Sequence, residues 1–140
     1  MKQFFLIIAI LLFYNCRATA QAGKSTDSCA TLNDSITQRI VYTHVDKMPE
    51  YVGGADKIRN YIQKNYNPPQ ADDFQASFHA EFVIDENGTL IGERIRNKKM
   101  EDITQAEKEL LRVLKSMPKW VAGECKGKPV PVKMNFPLYF

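Results

Sequence analysis

Lys115-Ser116-Met117-Pro118-Lys119-Trp120 and then Gly127-Lys128-Pro129-Val130-Pro131-Val132-Lys133-Met134-Asn135-Phe136-Pro137-Leu138-Tyr139-Phe140 close the chain, and their reading decides the fold. A helix stops at Pro118, the only tryptophan follows two residues later, Gly127 supplies a turn, and a strand runs to the end. In that strand Val130, Val132, Met134, Phe136, Leu138 and Phe140 take one face, which is assigned to a core. Pro129, Pro131, Lys133, Asn135, Pro137 and Tyr139 take the other. Backbone N–H groups alternate sides with the same period, and all three prolines are odd-numbered. A regular strand has therefore lost donors at 129, 131 and 137 on one flank. This predicts a sheet edge over 129–139 whose free donors are Lys133 and Asn135, guarded by proline at both ends.

Immediately upstream, Thr104-Gln105-Ala106-Glu107 has the capping-box pattern. Ala106, Leu110, Val113, Leu114 and Met117 then recur at helical spacing as far as Pro118. Lys115 and Lys119 sit where they complement the negative end of that helix. Further back, Ala76, Phe78, Ala80, Phe82 and Ile84 alternate with Ser77, His79, Glu81 and Asp85. Asn87-Gly88 offers the positive φ angles of a tight turn and 89–96 returns, which reads as a hairpin. Gly53-Gly54 opens a second helix to about Tyr66, with Ile58, Tyr61 and Ile62 on one face, closed by Pro68-Pro69. A short β-branched strand over 40–45 ends before Met48-Pro49. Residues 40–140 thus predict one α+β domain: a small antiparallel sheet of three core strands plus a short N-terminal strand, with two helices on one face.

The N-terminus has a different character. Lys2 precedes eleven apolar residues, Phe4 to Tyr14, and Ala18-Thr19-Ala20 and Ala20-Gln21-Ala22 have the small-residue spacing of signal-peptidase sites. Eleven residues of helix rise about 16 Å, roughly half a bilayer's hydrocarbon thickness. The expectation is an export signal over 1–20, cleaved after Ala20 or Ala22, and then a polar arm over 21–39. Cys16 stands directly behind the apolar run, where bacterial lipoproteins carry their lipid-acceptor cysteine, although Asn15 replaces the small residue preferred there. A lipid on Cys16, or an uncleaved N-terminal segment, is the alternative, and either would tie the chain to a membrane.

Cleavage after Ala20 removes Lys2 and Arg17 and no acid, taking the net charge from +3 to +1. Such a balance provides no long-range field for nucleic acid or anionic lipid. Cys29 and Cys125 remain after cleavage. An oxidising compartment allows them to pair and staple the arm to the loop after Trp120, and two unpaired thiols is the other reading. His44 and His79 read as solvated or structural. No catalytic or phosphate-binding motif is present, so no enzyme activity, cofactor or metal is expected. Trp120 is expected to bury its ring under the sheet, with a local acceptor for its indole N–H.

Met117-Pro118-Lys119-Trp120 with Gly127-Lys128-Pro129-Val130, preceded by the hairpin 82–90 and the segment 45–54, resembles the TonB C-terminal domain family in its Bacteroidetes form. The resemblance runs over roughly 45–140, with departures at Val52, Asn67 and Gln75-Ala76. It implies a protein-binding module in the periplasm of a Gram-negative bacterium. There the final strand accepts the short N-terminal peptide of a TonB-dependent outer-membrane receptor by β-augmentation, linking the module to transport across the outer membrane. Transferred by position, the partner-binding residues are Lys133 and Asn135 through their backbones, with Val132 and Met134 shaping the surface behind them. The family's proline-rich rod has no counterpart in 21–39, so a docking module without force transduction is expected. A lipid-anchored envelope structural or interaction protein with no transport role is the alternative, and homodimerisation is left open.

Overall fold

The computed structural model describes residues 29–69 and 77–139. The predicted signal, with Cys16, Ala20 and Ala22, and the arm up to residue 28 lie outside the described residues. In chain order the elements are β1 (Ala30–Asp34), β2 (Arg39–His44), α1 (Ala55–Asn65), β3 (Ser77–Ile84), β4 (Leu90–Ile95), α2 (Gln105–Lys115), β5 (Gly123–Cys125), β6 (Lys128–Val130) and β7 (Val132–Tyr139). They form a mixed five-stranded sheet in the order β1-β2-β7-β3-β4 and a separate β5-β6 ribbon. The architecture is α+β, with more strands than the sequence predicts.

Both helices cover one sheet face. Phe78, Ala80, Phe82 and Ile84 of β3 pack with Ile58 and Ile62 of α1 and with Ala106, Leu110, Val113 and Leu114 of α2, while Met134, Phe136 and Leu138 of β7 complete the layer. The period-two and period-3.6 patterns of the sequence are this one interface seen from its two sides. The capping box of α2 forms as predicted: the Glu107 N–H donates to Thr104 Oγ1 at 3.2 Å and the Thr104 N–H to Glu107 Oε2 at 2.7 Å. At the β3–β4 turn Gly88 has φ +78°, whereas Asn87 is not among the positive-φ residues. The loop is therefore a turn closed by a single left-handed glycine, bonded Gly88 N–H to Asp85 C=O at 3.0 Å, and not a two-residue turn with both φ positive. No other residue fits there, because a Cβ on Gly88 would stand 2.0 Å from the Trp120 carbonyl oxygen.

The opposite face is covered at one end by the β1–β2 hairpin, part of which the sequence assigns to a polar arm. Tyr42 is in register with Val132, whose partner in β3 is Ile84 on the helix-covered face. By alternation, the fully buried Val41 and Val83 lie on the other face. The hairpin tip leans across to β4: the Thr37 methyl lies 2.6 Å from where a Cβ on Gly92 would be, and Arg94 Nη2 meets Asp34 Oδ1 at 2.6 Å. Sheet edges β1 and β4 are thus drawn towards each other. A strand of sequence Ala-Thr-Leu-Asn-Asp carries no apolar alternation to announce itself, and it is held by pairing with β2 and by a buried acid.

Burial pushes the Asp34 carboxyl up, but the Thr37 backbone N–H, the Arg94 guanidinium and the Thr37 hydroxyl outweigh it and hold the group below its ordinary range. The unfolded chain therefore takes up this proton first as pH falls. The carboxylate's contribution is complete above the unfolded value of about 3.9 and is lost as pH drops through the lower folded value. In urea titrations at about pH 6 and about pH 3, Asp34→Asn should destabilise at the higher pH and narrow the gap between the two midpoints. An unchanged gap would remove Asp34 from the acid response.

The terminal strand is not the sheet edge that its prolines predict. The predicted edge over 129–139 is divided at Pro131 into β6, which pairs with β5, and β7, which lies third of five between β2 and β3. Missing donors alone do not close a strand flank to pairing. Proline keeps its carbonyl, and the Pro131 oxygen accepts the Tyr42 N–H at 2.8 Å, which brings β2 onto the flank that was read as open.

Candidate functional site

The two flanks of β7 can be assigned from its neighbour. Arg96 N–H donates to the His79 carbonyl at 2.8 Å, so odd residues of β3 face β4 and its even residues face β7. In the β3–β7 register Phe78 opposes Leu138, Ala80 Phe136, Phe82 Met134 and Ile84 Val132. Even residues of β7 therefore exchange backbone bonds with β3, and odd residues point theirs outward, the parity that the sequence predicts.

On the outer flank β2 meets β7 in parallel at the single register pair Tyr42–Val132. The chain then leaves. Lys47 and Glu124 exchange backbone bonds of 3.1 and 2.9 Å, and Glu50 and Val121 exchange bonds of 3.1 and 2.8 Å, which commits the segment after β2 to the β5–β6 side. Beyond Val132 the outer side of β7 has no strand in register with it among the described residues. Asn135 and Tyr139 carry N–H groups on that side, and Pro137 carries only its carbonyl.

This open stretch borders a groove of about 550 Å³ between the end of β7 and α1. Ile58 and Ile62 of α1 line it together with Phe136 and Leu138, Arg59 and Gln63 stand at its helix side, and Tyr139, 76% exposed, lies at its end. Arg59 makes no ion pair among the described residues, so the groove has an apolar lining and an uncompensated cation at its rim. A strand laid beside β7 would place alternate side chains under α1, which is the geometry of peptide capture at a sheet flank.

The four residues assigned to the partner site fall unevenly around this geometry. Val132 is fully buried and already paired on both flanks, so it presents no surface. Lys133 turns its ammonium to Glu81 at 3.1 Å, a carboxylate that also meets Arg94 at 3.2 Å and Arg96 at 3.5 Å. Met134 is half-buried against the core. Asn135 alone is exposed on the open flank. The stretch of β7 without a strand in register among the described residues lies C-terminal to most of these four, and it borders Phe136 to Tyr139 and α1 residues that the sequence reading does not assign to a site. Helical spacing had marked Ile58 and Ile62 only as core, and the parity of Tyr139 was the one signal of an exposed aromatic at that end.

Other expectations are met or corrected nearby. Trp120 is buried, with its ring edge-on to Tyr51 at 5.3 Å and to Phe82 at 5.7 Å between centroids. Its indole N–H finds no acceptor among the described residues, contrary to expectation. Cys29 and Cys125 form a disulfide with Cα atoms 6.1 Å apart. His44 and His79 are exposed and form no ion pair among the described residues. No helix among the described residues is long and apolar enough to cross a membrane.

These features define a class, a small α+β domain with a mixed sheet, two helices on one face and a partly open strand flank beside an apolar groove. No protein-family model, curated protein or solved structure matches the chain.

Proposed function

We propose that the domain is an exported docking module of the TonB C-terminal type that accepts a short extended peptide, that of a TonB-dependent outer-membrane receptor, along the outer flank of β7. One observation carries the reading: β2 covers that flank at a single register pair and departs, leaving the stretch from Asn135 to Tyr139 without a neighbouring strand among the described residues, beside an apolar groove. Main-chain bonds at Asn135 and Tyr139 would supply affinity, and side chains entering between α1 and β7 would select the sequence. The resemblance in 115–130 and 82–90 supplies the receptor as partner. The chemistry asked of the site is recognition, by a groove whose described lining is mostly apolar with Arg59 and Gln63 at its helix side.

Asn135→Pro tests this with little structural risk, because the N–H it removes points away from β3. The expected result is a folded variant that binds receptor N-terminal peptides about tenfold or more weakly by fluorescence anisotropy. One peptide carbonyl loses its donor, at about 1–3 kcal/mol. A folded Asn135→Pro with unchanged affinity would sink the reading. Lys133→Pro is a poorer probe, since that residue adjoins the β2 contact and its side chain holds Glu81.

A further inference from the structure

Three donor groups converge where the N-terminal hairpin meets the β5–β6 ribbon. The sulfurs of Cys29 and Cys125 and the Asp46 carboxylate have ligand atoms all within 4.8 Å of one another. Backbone pairing other than the disulfide brings them there. Ala30, next to Cys29, is in register with His44, two residues before Asp46. Lys47, next to Asp46, exchanges two backbone bonds with Glu124, next to Cys125. The Lys126 N–H then donates to Asp46 Oδ2 at 2.6 Å, which orients the carboxylate from the far side of Cys125. None of these contacts involves the sulfur–sulfur bond, so each can persist in the reduced protein and keep the three groups near one another.

We propose that the reduced form of this corner is a zinc site, with Cys29, Cys125 and Asp46 as ligands. A dithiol reductant breaks the disulfide by delivering two electrons and two protons, becoming a disulfide itself, and leaves two protein thiols. Zn²⁺ then displaces both thiol protons to solvent and forms two bonds to sulfur and one to a carboxylate oxygen, with water in the fourth position. Tetrahedral zinc holds sulfur and oxygen ligands about 3.5–3.8 Å apart, so the two sulfurs, bonded to each other in the disulfide, move apart on reduction to take the ion, while the carboxylate lies within 4.8 Å of each. Two thiolates and a carboxylate suit a borderline-soft divalent ion better than Mg²⁺ or Ca²⁺, which take oxygen ligands. Cys125 is buried and Asp46 exposed, so the ion has a sheltered side and a path from solvent. The bound ion would restore the link between hairpin and ribbon that reduction opens. With the cysteines at a sequence separation of 96, no ligand spacing in the sequence announces the site.

The test uses the full mature chain reduced with a trialkylphosphine, which is oxidised to its oxide with oxygen from water. One equivalent of Co²⁺ should give sulfur-to-cobalt charge-transfer absorption with tetrahedral visible bands, and Zn²⁺ should displace it. Cys29→Ser should weaken that charge-transfer band. Asp46→Ala and Asp46→Asn should each lower Zn²⁺ affinity about tenfold or more against a chromophoric chelator; the Asn variant keeps an oxygen for the Lys126 N–H. Zn²⁺ should raise the thermal midpoint of reduced wild type more than that of either variant. A reduced wild type with no sulfur–cobalt band overturns the proposal, and so do Asp46 variants that hold Zn²⁺ as tightly as wild type.

Discussion

Reducing the Cys29–Cys125 bond in metal-free buffer should lower the free energy of unfolding by about 4–5 kcal/mol. The bond closes a loop with a sequence separation of 96 residues, nearly the whole domain. In the loop-entropy account a closure of that size removes the most freedom from the unfolded chain. The other ties at that end are backbone pairings, Ala30 with His44 and Lys47 with Glu124. The hairpin it anchors meets β7 at one register pair, and its Arg39–Glu86 ion pair is too exposed to contribute much. Small domains have about 5–15 kcal/mol in total, so the loss is a large fraction of the whole. Urea titration with and without reductant measures it, and Cys29→Ser/Cys125→Ser in oxidising buffer should reproduce the reduced curve. Coincident oxidised and reduced curves would mean that strain in the folded state offsets the entropic gain.

Trp120→Ala should cost about 3–5 kcal/mol, and Trp120→Phe less than half of that. The ring fills the space between Tyr51 and Phe82 and is nearly excluded from solvent, so truncation to alanine leaves a cavity bounded by aromatic rings that cannot collapse into it. Phenylalanine behaves differently because of the orphaned indole N–H. Wild type bears the cost of burying that donor without an acceptor, about 1–3 kcal/mol, and Phe removes the donor while keeping most of the aromatic contact. Equal destabilisation by Ala and Phe would show that the indole N–H has a partner in solution. The backbone at 120 is tied independently, since the Trp120 N–H donates to the Gly88 carbonyl at 2.8 Å, so both variants should keep the local turn.

The two helices and the β3–β4 hairpin were legible because each buries one face, and burial of one face writes a period into the residues. Ile58 and Ile62, the even residues of β3 and the Leu110 to Leu114 stripe all sit in the core where their spacing puts them. The candidate site was legible only in part. Parity along 132–139 correctly separates the groups facing β3 from those facing outward. It gives no information on what lies beyond the outward flank, which depends on β2, some ninety residues earlier in the chain.

The sequence by itself determined the local elements, the core face of each, the capping box at Thr104 and the glycine at the β3–β4 turn, because these follow from neighbours within a few residues. Tertiary structure alone decided that Ala30–Asp34 is a strand, that β7 is an interior strand with a partly open flank, and that Cys29, Asp46 and Cys125 share a corner. The last two depend on backbone bonds between distant segments, and the first on a hairpin pairing that no apolar alternation marks. A backbone N–H is the same group in every residue except proline, so the sequence carries no mark of which partner it meets.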